Sequence, residues 1–281
     1  MKHRQSKCTR NYVVNLERLL SIVAVLTALL GFVSPAPAAD PSGEEIIKRM
    51  LDTFYYGGKD QRARVAMKLI NAQGNVRERN LTMLRLNVGN SGDQRYYIFF
   101  HSPADVKGTA FLVWKYPRAD DDRWIYIPAI KLVKRIAADD KRSSFVGSDF
   151  SYEDISGRDI TDETHQFVKR EELDGRPAFV VESKPTTPMD YARRLVWVDA
   201  ERWLPLKEEY YDTQGQISRV FTATEVAQIG GVWTVTGRRM ANRKSDHRTE
   251  VSLSNVEYGV GLTEDIFTER YLRNPPARWV R

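Results

Sequence analysis

Most of the chain alternates apolar and polar side chains as half-buried antiparallel strands do, but residues 94–127 abandon that alternation. In QRYYIFFHS (94–102), Tyr96, Ile98 and Phe100 point one way while Tyr97 and Phe99 point the other. In GTAFLVWKY (108–116), Ala110, Leu112 and Trp114 oppose Phe111 and Val113; in RWIYIP (123–128), Ile125 and Ile127 oppose Trp124 and Tyr126. A sheet that is apolar on both faces needs a cover on both, and the remaining sequence predicts little helix. The pattern therefore implies that a partner or an apolar ligand completes the cover.

One helix is expected near residue 42. Ser42-Gly43-Glu44-Glu45 has the spacing of a capping box, and Ile46, Ile47, Met50, Leu51 and Phe54 follow at helical intervals before Gly57-Gly58 ends the run. Strands and turns dominate from there. NAQGN (71–75), VGNSGD (88–93), Asp174-Gly175, Asp212-Thr213-Gln214-Gly215, Gly230-Gly231 and Ser245-Asp246-His247 mark hairpins. Such spacing predicts an up-and-down antiparallel sheet. Residues 128–164 are irregular, with a charged run and SSFVGSDFSYEDISG, and a stretch of that length within a compact sheet is expected to be a lid or functional loop. A second short helix is expected to start at Thr263 and to stop at Pro275-Pro276.

The N-terminus changes how the charge is read. Lys2, Arg4, Lys7, Arg10 and Arg18 precede an uncharged apolar stretch from Leu19 to Val33, followed by Ala36-Pro37-Ala38. This is the pattern of a cleavable secretory signal over residues 1–38, since the apolar stretch falls short of the roughly 20 residues that span a bilayer. The expected mature chain, residues 39–281, is a single domain. The formal charge of +6 shrinks with the leader, which holds five of the 43 Lys/Arg and one of the 37 Asp/Glu. What remains is 38 basic and 36 acidic groups, a balance that argues against nucleic acid. The only cysteine, Cys8, lies in the leader. Disulfide scaffolds and thiolate chemistry are excluded, and the periplasm is the expected compartment.

Recognisable catalytic chemistry is sparse. His101, His165 and His247 sit in separate strands or turns without metal-ligand spacing, and Gly147-Ser148-Asp149 lacks the surroundings of a nucleophile elbow. Asp120-Asp121-Asp122 and Asp139-Asp140 lack the glycine and terminal glutamate of a calcium loop. No cofactor, metal site or catalytic residue is expected. The distinctive feature is aromatic: all six tryptophans follow the leader, with Trp114, Trp124, Trp197 and Trp233 on strands. Core packing accounts for such residues as readily as an apolar binding wall does.

The segments FFHSPADVKGTAFLVW, WIYIPAIKLVKRI, FVGSDFSYEDI and WVDAERWLPLKEEYYDTQGQ resemble the outer-membrane lipoprotein-sorting protein family. These are LolA-like periplasmic carriers that often accompany transporters of the resistance-nodulation-division superfamily. The resemblance covers about residues 40–273. It implies a mainly β, LolA/LppX-like fold: a curved antiparallel half-barrel whose concave face is covered by an N-terminal helix and short helices. It further implies a non-enzymatic carrier for lipid or the acyl chains of lipoproteins, exchanging cargo with an inner-membrane transporter or an outer-membrane acceptor. Gly147, Ser148, Asp149, Phe150, Tyr152, Glu153 and Asp154 match the family signature, with Phe150 and Tyr152 as gate candidates or members of a purely structural turn. From the strand pattern, Met67, Leu69, Tyr96, Ile98, Phe100, Leu112, Trp114 and Trp197 are the expected cavity wall, although a one-residue shift would exchange the faces. An accessory subunit that docks on such a transporter is the alternative, and a periplasmic hydrolase the third reading.

Overall fold

The computed structural model describes residues 40–281; the leader expected over residues 1–38 lies outside the described residues. The chain forms β1 (Asp60–Ile70), β2 (Val76–Val88), β3 (Asp93–Ser102), β4 (Ala110–Lys115), β5 (Asp122–Ile127) and β6 (Leu132–Ile136), then β7 (Glu163–Leu173), β8 (Arg176–Pro185), β9 (Arg193–Asp199), β10 (Pro205–Tyr211), β11 (Ile217–Ile229), β12 (Val232–Asn242) and β13 (His247–Tyr258). All thirteen lie in one antiparallel sheet ordered β6-β5-β4-β3-β2-β1-β13-β12-β11-β10-β9-β8-β7, open between β6 and β7. The mainly β, antiparallel, open architecture is the expected one. The hairpins fall where the turn residues placed them: Asp174 and Gly175 both have positive φ, 49° and 76°, as a type I′ turn requires.

The sheet consists of two meanders joined by one crossing. Strands β1 to β6 run outward to one edge, and residues 137–162 then carry the chain to the opposite edge, from which β7 to β13 return to pair with β1. Thirteen flat strands would put the edges about 58 Å apart, so a folded connection of this length requires a curled sheet.

The crossing segment and α1 (Gly43–Tyr56) cover one face of the sheet, here called the inner face. Helix α1 starts as its sequence predicts: the Ser42 hydroxyl accepts a hydrogen bond from Glu45 N at 3.1 Å. Its apolar stripe, with Ile46, Ile47 and Met50 buried, packs on Phe179, Val181, Val196 and Val198 of β8 and β9. Gly43 makes that docking possible, because a Cβ there would stand 2.6 Å from the backbone nitrogen of Phe167 in β7.

The outer face has its own cover, and this corrects the expectation that a guest must complete it. Residues 260–281 lie over Leu84, Leu86, Tyr97, Leu112 and Trp124 and bury Leu262, Ile266, Phe267, Leu272 and Val280 against them. The buried Asp60 carboxylate starts this strap by accepting from the backbone nitrogens of Val260, Gly261 and Leu262 at 2.8–2.9 Å. Tyr97 Oη and Trp114 Nε1 fasten it further, donating to the carbonyls of Tyr271 and Phe267 at 2.7 Å. The aromatic excess on this face is thus an attachment surface for the chain's own tail. The expected second helix is also revised. Thr263 makes no side-chain cap; a 3-10 turn at Glu264–Ile266 precedes α3 (Glu269–Arg273), and α4 (Ala277–Val280) follows Pro275-Pro276.

Candidate functional site

The site is the interface between the inner face and the crossing segment, which the sequence marks as irregular and which lies over the sheet as a cover, called the lid below. Residues 143–157 fold on themselves. Phe145 N donates to Phe150 O at 2.7 Å, Tyr152 N to Ser143 O at 3.2 Å, and Ser144 bridges Ser151. The short helix α2 (Tyr152–Ser156) carries a complete capping box, with Ser151 Oγ accepting from Asp154 N and Asp154 Oδ2 accepting from Ser151 N. Among the described residues, every backbone-to-backbone hydrogen bond of 140–157 stays within the crossing segment. It meets the sheet through side chains instead.

Those side chains form an aromatic plug. Phe145 and Phe150 are buried, and Val146, Tyr152 and Ile155 pack beside them on Val65, Met67, Leu81, Met83, Ile98 and Phe111. The Phe145 and Tyr152 rings lie 5.3 and 5.2 Å from the Phe111 ring and 5.6 Å from each other. The slot left between plug and sheet, lined by Val65, Met67, Met83, Ile98, Phe150, Val251 and Arg238, is ≈ 20 Å³. That is room for about one water molecule and far too little for an acyl chain. With the lid down, the part of the inner face beneath the plug is filled.

Polar latches surround the plug. Asp149 Oδ2 accepts from Thr249 Oγ1 at 2.7 Å and lies 2.6 Å from His247 Nδ1, both on β13. Arg79 of β2 donates to the carbonyl of Val146, and Lys115 Nζ to that of Gly157 at 2.8 Å. Asp154 pairs with Arg158 at 2.7 Å and with Arg219 of β11 at 3.3 Å. Burial alone would raise the Asp154 pKa; the two guanidiniums and the Ser151 hydrogen bonds outweigh it and hold the carboxyl down at about 2. Glu153 Oε2 lies 3.0 Å from Arg158 Nε, an ion pair without hydrogen-bond alignment. Arg158 Nη1 also donates to Tyr210 Oη at 3.2 Å, linking the lid to a second buried network. There Arg194 grips Glu163 with bonds of 2.6–3.0 Å and Glu208 at 2.9 Å, while Tyr191 donates to Glu163 at 2.9 Å.

Strand register divides the eight expected wall residues between the two faces. Met67, Leu69, Tyr96, Ile98 and Phe100 belong to the inner cluster. Leu112 and Trp114 do not, because Tyr97 is the cross-strand partner of Leu112 and Arg95 that of Trp114; both lie beneath the C-terminal strap. Trp197 packs on Ala178 and Val180 on the outer face and donates to Glu171. The inner residues of β4 are Phe111 and Val113. Of the signature positions, Phe150 and Tyr152 are plug residues, Asp149, Glu153 and Asp154 make latches, and Ser148 Oγ donates to Phe145 O at 2.8 Å inside the lid. Gly147 has a φ of 76°.

The arginines escaped sequence reasoning. In LTMLRLNV, Arg85 has the same parity as Leu81 and Met83, which is the one local sign that a cation faces inward. The histidines are paired within the fold, two of them with buried hydroxyls. His165 contacts Ser183 Oγ and Ile160 O at 2.8 and 3.0 Å, with Ser183 fully buried; His101 contacts Thr82 and Arg64. Burial lowers the pKa of both. No group of three His, Cys, Asp or Glu suited to a metal occurs among the described residues, and no helix there is long and apolar enough to cross a membrane.

Comparisons with known proteins fit this geometry. A profile of a family of uncharacterized proteins matches residues 92–274. A DUF1329 family protein from Desulfovibrio piger is 31% identical, with a TM-score of 0.76 over 82% of this chain and 97% of its own. A domain assigned to outer membrane lipoprotein sorting, from Vibrio parahaemolyticus, is 33% identical with the same TM-score, over 82% of this chain and 98% of its own. A LolA superfamily protein from Nitrosomonas europaea is 20% identical, TM-score 0.64, over 83% of this chain and all of its own, which speaks to fold alone. None of the curated proteins matches the chain.

Proposed function

The chain belongs to the DUF1329 family, and on that premise we propose that it is a non-enzymatic periplasmic carrier of lipid or of the acyl chains of lipoproteins. One observation carries this reading: among the described residues the plug that closes the inner face makes no backbone-to-backbone hydrogen bond to the sheet, and is held by its own side chains and by sheet side chains that reach its backbone. Such a unit can leave without breaking the sheet's hydrogen-bond ladder. A lipidic guest would take the place of Phe145, Phe150, Tyr152 and Ile155 over Met67, Met83 and Ile98. Each buried methylene contributes about 0.8 kcal/mol, so a chain of a dozen carbons contributes about 10 kcal/mol, the same order as the four plug side chains it replaces. The likeness to an outer membrane lipoprotein-sorting domain supports the same cargo class, and on this reading a membrane transporter or acceptor is the exchange partner.

The test is native mass spectrometry of protein purified from a membrane-containing host, followed by extraction and identification of bound lipid. Lipid adducts on the folded protein are expected. A protein that stays unliganded there and also fails to take up a fluorescent fatty acid in vitro would refute the carrier reading.

A further inference from the structure

Among the inner-face cations without a carboxylate partner, Arg238 and Arg85 stand together at one cleft. Arg238 of β12 lies in register with Val251 of β13 and Ala223 of β11, and Val251 with Met67 of β1, so a guanidinium interrupts an apolar cross-strand row. It lies over the rings of Phe54 and Phe150, each 5.8 Å away. Its Nε is buried without a hydrogen-bond partner, and among the described residues no carboxylate comes within ion-pairing distance. Arg85 of β2 also faces inward, between Gln61 and Tyr96. It donates only to neutral acceptors, the carbonyls of Tyr55 and Gly57 and Asn87 Oδ1.

Other inward cations are already engaged: Arg79 and Lys115 bind the lid carbonyls of Val146 and Gly157, and three arginines have carboxylate partners. Arg158, Arg194 and Arg219 each have at least one carboxylate within 3.3 Å. Arg85 and Arg238 line one cleft of ≈ 40 Å³, together with Gln61, Tyr96, Thr234 and Tyr258. Arg238 and the lid residue Ile155 also line the apolar slot, so lifting the lid opens both spaces together. Burial pulls the pKa of both arginines down, which means their charge is held against a desolvation penalty that an anion would relieve.

We infer that the cavity selects amphiphiles with an anionic head, a carboxylate or phosphate held by Arg238 and Arg85 while the apolar chain lies along the slot. This rests on the carrier reading and names its ligand class. A neutral lipid would leave the buried Arg85 and the half-buried Arg238 facing hydrocarbon; an anionic one converts their contacts into charge-assisted hydrogen bonds.

The experiment measures binding of cis-parinaric acid and of its methyl ester by fluorescence, to the wild type and to R238M and R238K. The wild type should bind the acid at least about ten-fold more tightly than the ester. R238M should erase that preference with ester affinity nearly unchanged, and R238K should keep part of it. Dodecanoate and dodecyl phosphate should displace the probe, and inorganic phosphate at the same concentration should not. Equal binding of acid and ester by the wild type would overturn the inference while leaving the carrier standing, and this comparison needs no variant. Displacement by inorganic phosphate alone would mark a site for free anions and also overturn it. Binding of neither probe would refute the carrier and the inference together.

Discussion

At the scale of single residues, the same residue type does different work according to which face its strand presents. Met83 and Trp197 are both large, apolar and on strands, yet Met83 faces the plug and Trp197 lies outside with its indole on Glu171. Met83→Glu is therefore expected to reduce fatty-acid uptake about ten-fold or more, the effect of an unpaired carboxylate in an apolar slot, whereas Trp197→Leu leaves uptake unchanged. Equilibrium binding checks both, with urea midpoints confirming that each variant folds. Asp154 and Glu163 set a pH dependence. Burial raises each, but their arginine partners prevail and hold both at about 2, below ordinary values of 3.8 and 4.5. The unfolded chain takes up these protons first as pH falls. The stabilisation is therefore complete above about pH 5 and is lost between about 4.5 and 2. His165 and His101, lowered from 6.5, add a shallower loss below that pH by the same sign. Asp154→Asn should unfold more easily than the wild type at pH 7 by about 2–4 kcal/mol, and the difference should shrink toward pH 2 in urea titrations.

At the scale of elements, the lid and α1 show how local sequence prepares a docking. The Ser151 capping box keeps α2 folded at the end of the plug. Ser151→Ala should weaken the lid by about 1 kcal/mol, seen as faster amide exchange over 152–157 with the wall strands unaffected. Gly43 is a steric requirement of α1 against β7, since its Cβ would meet the Phe167 backbone at 2.6 Å. Gly43→Ala should lower stability by about 1–3 kcal/mol although alanine is the better helix former, and thermal unfolding measures the loss.

At the scale of the molecule, the sheet's two unpaired edges and the inner face depend on one segment, because residues 137–162 connect β6 to β7 and carry the plug between them. Loading with a fatty acid is expected to raise amide exchange over 143–157 while β1, β2 and β3 stay protected, which hydrogen-exchange mass spectrometry resolves by segment. Unchanged exchange on a loaded protein would show that the lid does not move to admit cargo.

Local pattern was enough to read the β class, the hairpin positions such as Asp174-Gly175, the capped start and apolar stripe of α1, the two-sided strands of residues 94–127 and the irregular lid. Each depends on neighbours within a turn or a strand, where the period of side-chain direction is set by the backbone itself. The assignment of faces was not readable, because alternation orders residues within a strand but the partner's register decides which set points inward, as Tyr97 opposite Leu112 shows. The C-terminal strap held by Asp60, the ion pairs of Arg158 with Asp154 and of Arg194 with Glu163, and the unpaired charge of Arg238 likewise arise between segments far apart in sequence. Only the folded sheet brings those groups within reach and removes the water that would otherwise screen them.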